Sequence, residues 1–173
     1  KVISILAIVF FGAILFARYY PAKTETADAP GFTPFQDDAL AARHLPVLYA
    51  GAFESPTNLY YRSARDAQER IHITYHFVWP YERNETASIG AFLNRTIYTG
   101  GLRIQRLMFG KGDIEMLSVI IGKGGTVEEV VYETAENYNP RAFGVKHRTM
   151  RADMGKPMPI FRVMSWNHLF EKI

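Results

Sequence analysis

Asp113 and Glu115 are the two residues whose type and spacing best suit a chemical role. They flank Ile114 at the start of a predicted strand, so both carboxylates point to the same side, about 6.6 Å apart. Such a pair can share a hard cation, or flank one together with other oxygen ligands. The alternative is two solvated carboxylates at the rim of a sheet, which Lys111 and Lys123 could neutralise. Calcium is the candidate cofactor of this pair.

The five histidines do not form a metal site by spacing alone. His72 and His76 lie on one face of a predicted strand, but about 13 Å apart, which is too far to share an ion. We interpret them as part of a half-exposed polar face. His44, His147 and His168 are scattered along the chain, and only folding could bring any two of them together.

No catalytic motif stands out from the sequence. The chain has no cysteine, which excludes disulfides, a thiolate nucleophile and a zinc–thiolate site. No serine lies in a G-x-S-x-G setting. The glycine-rich stretches at 110–112 and 122–126 lack the G-x-x-x-x-G-K-[ST] spacing of a phosphate loop and are predicted to be turns. We therefore expect a protein that is not an enzyme.

The elements that must position these residues are mostly strands. The stretch Ile71–Trp79 is the clearest, because apolar residues alternate in it with largely polar ones. The glycine-rich turn at 122–125 joins two further strands as a hairpin. These two strands cover 114–121 and 127–134, and the remaining predicted strands cover 47–53, 58–63, 102–109, 143–149 and 160–165. This number of short strands predicts a mainly β fold over residues 46–173, an antiparallel β-sandwich with one or two short helices.

Helical spacing interrupts the strand pattern once within this domain. Ile89, Phe92, Leu93 and Ile97 recur at intervals of three or four residues, which predicts a short amphipathic helix over 87–98. A second short helix is predicted within 37–43, which begins with aspartate and ends with arginine.

The first residues of the chain have the composition of a membrane span. From Val2 to Ala17 there is no charged residue, and sixteen helical residues cover about 24 Å of the roughly 30 Å hydrocarbon core. Arg18 can reach the lipid headgroups, and Tyr19 and Tyr20 suit the membrane interface. We predict a single N-terminal transmembrane helix over residues 1–20, followed by a linker over 21–45 that contains the predicted short helix.

Two other interpretations of this apolar stretch are weighed against a membrane anchor. A buried core helix seldom lacks polar residues all round its circumference. A cleaved signal peptide needs small residues at its cleavage site, and the sequence Arg-Tyr-Tyr-Pro at 18–21 does not supply them.

The charges that flank the predicted span do not fix its orientation in the membrane, and the net charge of the domain argues against a nucleic-acid partner. Lys1 precedes the predicted span and Arg18 and Lys23 follow it, so the flanking charges do not fix the topology. We expect the β domain outside the cytoplasm, in a periplasm or an intermembrane space. Without Lys1 and Arg18, 18 basic residues face 17 acidic ones, and such a near-neutral domain has no electrostatic footprint for nucleic acid.

Three stretches of the chain, at 73–81, 112–132 and 155–168, together resemble one family of proteins. The segment from Gly112 to Val119, with the hairpin after it, is similar to the G-D-W-E or H-D-W-E strand of the Vps62-related and necrosis-inducing (NPP1-like) β-sandwich proteins. The segment 155–168 resembles their G-[RK]-P…V-x-[VA]…S-H-A stretch, and 73–81 resembles their aromatic strand that ends in Y-N or Y-x-x-N. The resemblance spans roughly 100 residues in the same order.

This resemblance implies a β-sandwich and part of a metal site. Asp113 and Glu115 match the two acidic positions of the motif, and His168 is a candidate neighbour of the metal. Ile114 stands where the family has tryptophan, and Gly112 stands where the toxin-like members have histidine. The family's metal site is therefore incomplete in this chain.

These observations lead to three hypotheses about function. The first is a non-catalytic, membrane-anchored accessory subunit of a membrane complex, whose helix meets partner subunits and lipid and whose β domain covers or braces those partners. The second is a membrane-tethered module that binds a carbohydrate or lipid headgroup through a cation at Asp113 and Glu115. The third is a hydrolase whose site the sequence does not reveal.

Overall fold

The computed structural model describes residues 8–9, 11–12, 30–101, 113–154 and 159–173. Their regular elements, in chain order, are β1 (Thr33–Phe35), α1 (Asp38–Arg43), β2 (Val47–Tyr49), β3 (Asn58–Arg65), β4 (Ile71–Trp79), α2 (Ile89–Asn94), a π-helical turn (Arg95–Thr99), β5 (Asp113–Ile121), β6 (Val127–Glu136), β7 (Lys146–Asp153), β8 (Ile160–Val163) and β9 (Phe170–Lys172). The fold is mainly β, as the sequence predicts.

The strands form two sheets. The large sheet has six strands in the order β1-β3-β4-β5-β6-β7, and all its pairs are antiparallel. The small sheet has the order β2-β8-β9. Its β2–β8 pair is parallel and its β8–β9 pair is antiparallel, so the second sheet is mixed where the sequence predicts antiparallel pairing throughout. Parallel pairing joins strands that lie far apart in sequence, and no local pattern signals it.

The hydrophobic core lies between the two sheets. On β4, the residues Ile73, Tyr75, Phe77 and Trp79 are all buried, as their alternation predicts. From the small sheet, Phe170 packs edge-on against Phe77 with ring centroids 5.6 Å apart. The two sheets thus pack face to face in a β-sandwich-like arrangement.

Tight turns set the ends of the central strands. Between β5 and β6, the Gly122 amide donates to the Thr126 carbonyl at 3.0 Å, and Gly125 has a φ of +75°, which glycine adopts without a steric penalty. The predicted hairpin is present. We call this end of the large sheet the turn end, and the opposite end, where β4 ends and β5 begins, the site end.

Two elements within the predicted linker pack onto the domain. Strand β1 pairs with β3, with Thr33 opposite Arg65. The predicted short helix is α1, capped by the Asp37 side chain, which accepts from the Leu40 amide at 2.9 Å. Ala41 of α1 is buried in the core, and the Tyr75 hydroxyl donates to the Ala41 carbonyl at 2.7 Å. The ordered fold therefore begins before residue 46.

The other local predictions agree with the structure to different degrees. The helix expected over 87–98 is present as α2 and the π-helical turn. Strand β2 is shorter than predicted, β3 extends further along the chain, and β7 both begins and ends later than predicted. Strands β1 and β9 are not predicted, because three residues are too few to show a period. The strand predicted over 102–109 lies outside the described residues.

The predicted membrane span falls mainly on residues that the structure does not describe. In the described part of the chain, no helix has the length and apolar character needed to cross a membrane.

Candidate cation site

The pairing of β4 with β5 turns two carboxyl groups inward at the site end. Asp113 lies opposite Trp79 and Glu115 opposite Phe77, so both acidic side chains share the core-facing side of the sheet with these aromatic rings. Asp113 is 8% exposed and Glu115 is 7% exposed. The solvated rim considered as the alternative is therefore not what the structure shows.

A third carboxyl group comes from the segment that follows β4. The strand ends at Trp79, Pro80 follows it, and Glu82 folds back to a position that is only 4% exposed. One oxygen from each of Glu82, Asp113 and Glu115 lies within 4.8 Å of the other two. We call these three residues the carboxyl cluster.

His168 reaches the carboxyl cluster from the connection between β8 and β9. Its backbone is left-handed, with φ +59°, and its amide donates to the Ser165 carbonyl at 3.0 Å. This turn places the imidazole flat on the Trp79 ring, with centroids 4.4 Å apart and planes 5° apart. His168 Nδ1 lies 2.7 Å from Asp113 Oδ2. The stacking and the hydrogen bond together fix the orientation of both side chains.

Burial and mutual repulsion dominate the electrostatics of the cluster. Burial, and next the neighbouring Asp113, raise the pKa of Glu115 to about 9. The same two causes raise the pKa of Glu82 to about 9. Charged carboxylates in a poorly solvated space repel one another, so protons remain bound unless a cation replaces them.

Tyr98 lies between the carboxyl cluster and Trp166 and contacts both. Burial, and next the charge of Glu82, raise the pKa of Tyr98 to about 12. Tyr98 also hydrogen-bonds Glu82, and its ring packs edge-on against Trp166 with centroids 6.1 Å apart. Trp166 is 5% exposed, and its indole Nε1 has no hydrogen-bond partner among the described residues.

A small cavity of about 180 Å³ lies beside Trp166. His168, which contacts Asp113 of the carboxyl cluster, also lines this cavity. Its lining combines aromatic rings with charged groups: Ala52, Phe53, Glu54, Tyr81, Arg83, Glu85, Trp166 and His168. Trp166 contributes to this lining, and its indole N–H is itself shielded from solvent.

The structure brings together the three residues predicted to hold a metal, Asp113, Glu115 and His168. Of the two lysines considered as neutralising partners, Lys123 does not reach the cluster. Lys123 belongs to the hairpin at the turn end, and one strand length of about 30 Å separates it from Asp113. Lys111 lies outside the described residues.

The other histidines have separate surroundings. His72 Nε2 lies 2.9 Å from Asp66 Oδ2 at the turn end, and His147 Nδ1 lies 2.7 Å from Glu133 Oε2. His76 Nε2 is buried and has no hydrogen-bond partner in the described part of the chain. His44 follows α1 and is buried. None of these four belongs to the carboxyl cluster.

Sequence reasoning missed Glu82. It lies two residues after Pro80, which ends the clearest predicted strand, and a side chain there can turn back over the sheet. The sequence also predicts acidic residues at the start of β5. Since antiparallel neighbours meet end to start, an acidic residue just after β4 was a usable signal for a site shared with Asp113.

The geometry of the cluster suits one divalent cation. Calcium binds oxygen ligands at about 2.3–2.6 Å, so two ligands on opposite sides of an ion are up to about 5 Å apart. The spacing of the three carboxyl oxygens, within 4.8 Å, satisfies this limit. Waters, backbone carbonyls or a bound ligand would supply the remaining oxygen atoms that calcium requires.

Comparison with known proteins returns no relative: the chain matches no family model, no curated protein and no solved structure.

Proposed function

We propose that this domain binds a divalent cation, with calcium the best fit, at Glu82, Asp113 and Glu115, and that the cavity next to His168 holds a polar ligand beside this site. The observation that carries the proposal is three carboxyl groups, each more than nine-tenths buried, converging within 4.8 Å. Burying several carboxyl groups against one another is costly unless protons or a cation neutralise them. A bound cation provides attraction where the cation-free site has repulsion.

His168 has a positioning role in this proposal. The Nδ1 atom of His168 is hydrogen-bonded to Asp113, so it does not coordinate the ion. Instead, His168 orients the Asp113 carboxylate, which is one of the proposed metal ligands. Residues that orient metal ligands in this way strongly affect metal affinity. The stacking of His168 on Trp79 makes the arrangement rigid before the cation arrives.

The cavity supports a small hydroxylated ligand or a lipid headgroup. Its volume of about 180 Å³ is below the usual range for a drug-sized molecule, so one ring or one headgroup is the appropriate size. Tyr81 and Trp166 offer aromatic surfaces, Arg83 offers hydrogen-bond donors and Glu54 an acceptor. This mixture of rings and polar groups suits a carbohydrate or headgroup better than an apolar molecule.

Calorimetric titration of the full chain with calcium tests the cation site. We expect saturable binding by the wild type, with protons released on binding because Glu82 and Glu115 must ionise. Glu82→Gln and Asp113→Asn should each weaken binding at least tenfold. Glu69→Gln is the matched control, since Glu69 is exposed at the turn end, away from both the carboxyl cluster and the cavity. Absence of binding at millimolar calcium and alkaline pH would refute the proposal.

The membrane-anchored accessory subunit remains a second candidate. The observation that favours it is the set of exposed apolar side chains on α2, including Ile89 and Phe92, because exposed apolar surface commonly marks a contact. Native-gel mass analysis after gentle detergent extraction tests it. Migration with a large complex would favour the subunit, and a free calcium-binding monomer would favour the ligand-binding module. The resemblance to the NPP1-like proteins is likewise still a prediction.

A further inference from the structure

Helix α2 turns its apolar residues away from the domain. Ile89 is 81% exposed, Phe92 59% and Ile97 63%, and Leu93 is also exposed. At intervals of three or four residues these side chains lie on one face. A helix of a water-soluble domain normally buries such a stripe against the core, whereas α2 presents it to the surroundings.

The inner face of α2 is fixed by close contacts to the β6–β7 connection. The Ser88 hydroxyl donates to the Arg141 carbonyl at 3.1 Å, and the Asn94 amide Nδ2 donates to the Phe143 carbonyl at 2.8 Å. A Cβ atom at Gly90 would lie 2.4 Å from the Arg141 carbonyl oxygen, so any larger residue would push the helix away. Rotating α2 to bury its apolar stripe would break all of these contacts.

The exposed face is also nearly free of charge. From residue 87 to residue 101 the chain contains no acidic residue and no lysine. Its one arginine, Arg95, directs its guanidinium Nη1 to the carbonyls of Asn84 and Thr86. Phe143, beside the helix, is 47% exposed. An apolar surface edged by aromatic side chains is the character of a segment that lies in a membrane interface.

We propose that α2 docks onto the lipid bilayer to which the predicted N-terminal span anchors the chain. The chain enters the large sheet at the turn end, where Thr33 lies opposite Arg65, and α2 lies at the site end, about 30 Å away along β4. Residues 18–29 can extend about 40 Å, so an anchored domain can bring its site end to the membrane. Tethering keeps the local concentration of lipid high, and a modest apolar face then suffices for contact.

This contact would place the proposed cation site close to the membrane surface, because the carboxyl cluster and α2 occupy the same end of the large sheet. The membrane proposal does not depend on cation binding. The experiment below measures only whether α2 contacts lipid, so the cation-binding proposal and the membrane proposal can fail independently.

The chain has no cysteine, so a single introduced cysteine gives a unique labelling site. We would reconstitute full-length Phe92→Cys, labelled with the fluorophore NBD, into phosphatidylcholine–phosphatidylglycerol vesicles with and without nitroxide-bearing phosphatidylcholine. The label should emit as in an apolar medium and be quenched by the nitroxide lipid. Lys123→Cys is the control, because Lys123 is exposed in the hairpin at the turn end, and its label should emit as in water.

A second substitution distinguishes lipid contact from other causes. Adding Ile97→Glu to the labelled Phe92→Cys chain should reduce quenching to the level of the Lys123 label, since a charge on the exposed face opposes insertion. Water-like emission from position 92 in vesicles would overturn the proposal. So would apolar emission without quenching by the nitroxide lipid, which would mean that a protein surface, such as a second copy of the chain, covers α2.

Discussion

The two ends of the large sheet both bury carboxyl groups and treat them in opposite ways. At the turn end, Asp66 is 7% exposed and accepts hydrogen bonds from the amides of Gln68 and Arg70, each at 2.9 Å. Its other oxygen meets Arg70 Nε at 2.8 Å and His72 Nε2 at 2.9 Å. The hydrogen bond to His72, above all, lowers the pKa of Asp66.

At the site end, Glu115 is equally buried, at 7% exposed, and its pKa moves up to about 9. The two groups differ in their neighbours, since donors surround one and carboxyl groups surround the other. Burial alone therefore does not determine whether a carboxyl group is charged, and the number of hydrogen-bond donors around it does. Asp66 has hydrogen-bond donors at both of its oxygens, whereas repulsion between the carboxyl groups at the site end favours their protonated form.

The largest effect of a single substitution should come from adding a further carboxylate to the site end. Phe77 lies opposite Glu115 and packs on Phe170, so Phe77→Asp should lower the free energy of unfolding by about 3–5 kcal/mol through a lost ring and a buried charge. His76→Asp, on the other face of β4, should cost clearly less. Urea denaturation measures both. Equal losses would mean that the two faces of the strand are not as distinct as the structure has them.

The pH dependence of stability should also separate the two ends. Glu82 and Glu115 have a pKa of about 9 in the folded protein, against about 4.3 in an unfolded chain. Between about pH 5 and 9 the folded state holds protons that the unfolded state has released, so stability falls as pH rises, by at most about 1.4 kcal/mol per pH unit for each group. Asp66 has the opposite sign, because its stabilising effect is lost only below about pH 4.

Thermal melting with chelator at pH 5 to 9 measures this fall. The double variant Glu82→Gln with Glu115→Gln should flatten it, and excess calcium should reverse it by binding the ionised folded state. A wild-type melting temperature that is constant over this range would contradict the raised pKa values.

A change at His168 should reduce cation affinity without removing it. His168→Gln loses the bond to Asp113 Oδ2 and the stacking on Trp79, and loss of such a support should weaken calcium binding about 10–100-fold. Calorimetry of the full chain measures this loss. His72→Gln, which alters a histidine that pairs with Asp66 at the turn end, is the control and should bind calcium like the wild type.

The smallest predicted effect is a change in melting temperature whose sign differs between substitutions at the two ends of the large sheet. In the absence of a cation, Glu115→Gln removes a group that must hold its proton, so the melting temperature at pH 8 should stay level or rise by a few degrees. Asp66→Asn removes a charge that four donors stabilise, so the melting temperature should fall. A fall of similar size in both variants would end the distinction between the two carboxyl environments.

Sequence reasoning predicted those parts of the structure that depend on local periodicity. The alternation in β4 predicts its buried face, and the same period of two places Asp113 and Glu115 on one side of β5. Helical spacing predicts α2, but not that its apolar stripe faces outward, because spacing identifies a face without identifying what covers it.

The features that sequence reasoning could not predict depend on long-range pairing. The parallel pair of β2 with β8, and the arrival of His168 at Asp113, join residues whose closeness no local pattern encodes. Strands of three residues such as β9 are too short to show a period. Glu82 joins the cluster through one short connection, and its contribution becomes evident only after the β4–β5 pairing is known.

The parallel pair of β2 with β8 has a consequence for the timing of folding during synthesis. Val47 leaves the ribosome early and must wait for Ile160, its partner across the small sheet, and loop closure over such a separation is entropically costly and slow. His168 follows β8, so its hydrogen bond to Asp113, 55 residues earlier in the chain, also has to wait. Until then the carboxyl cluster lacks its cover, so the proposed cation site is complete only after β8 and His168 have been translated.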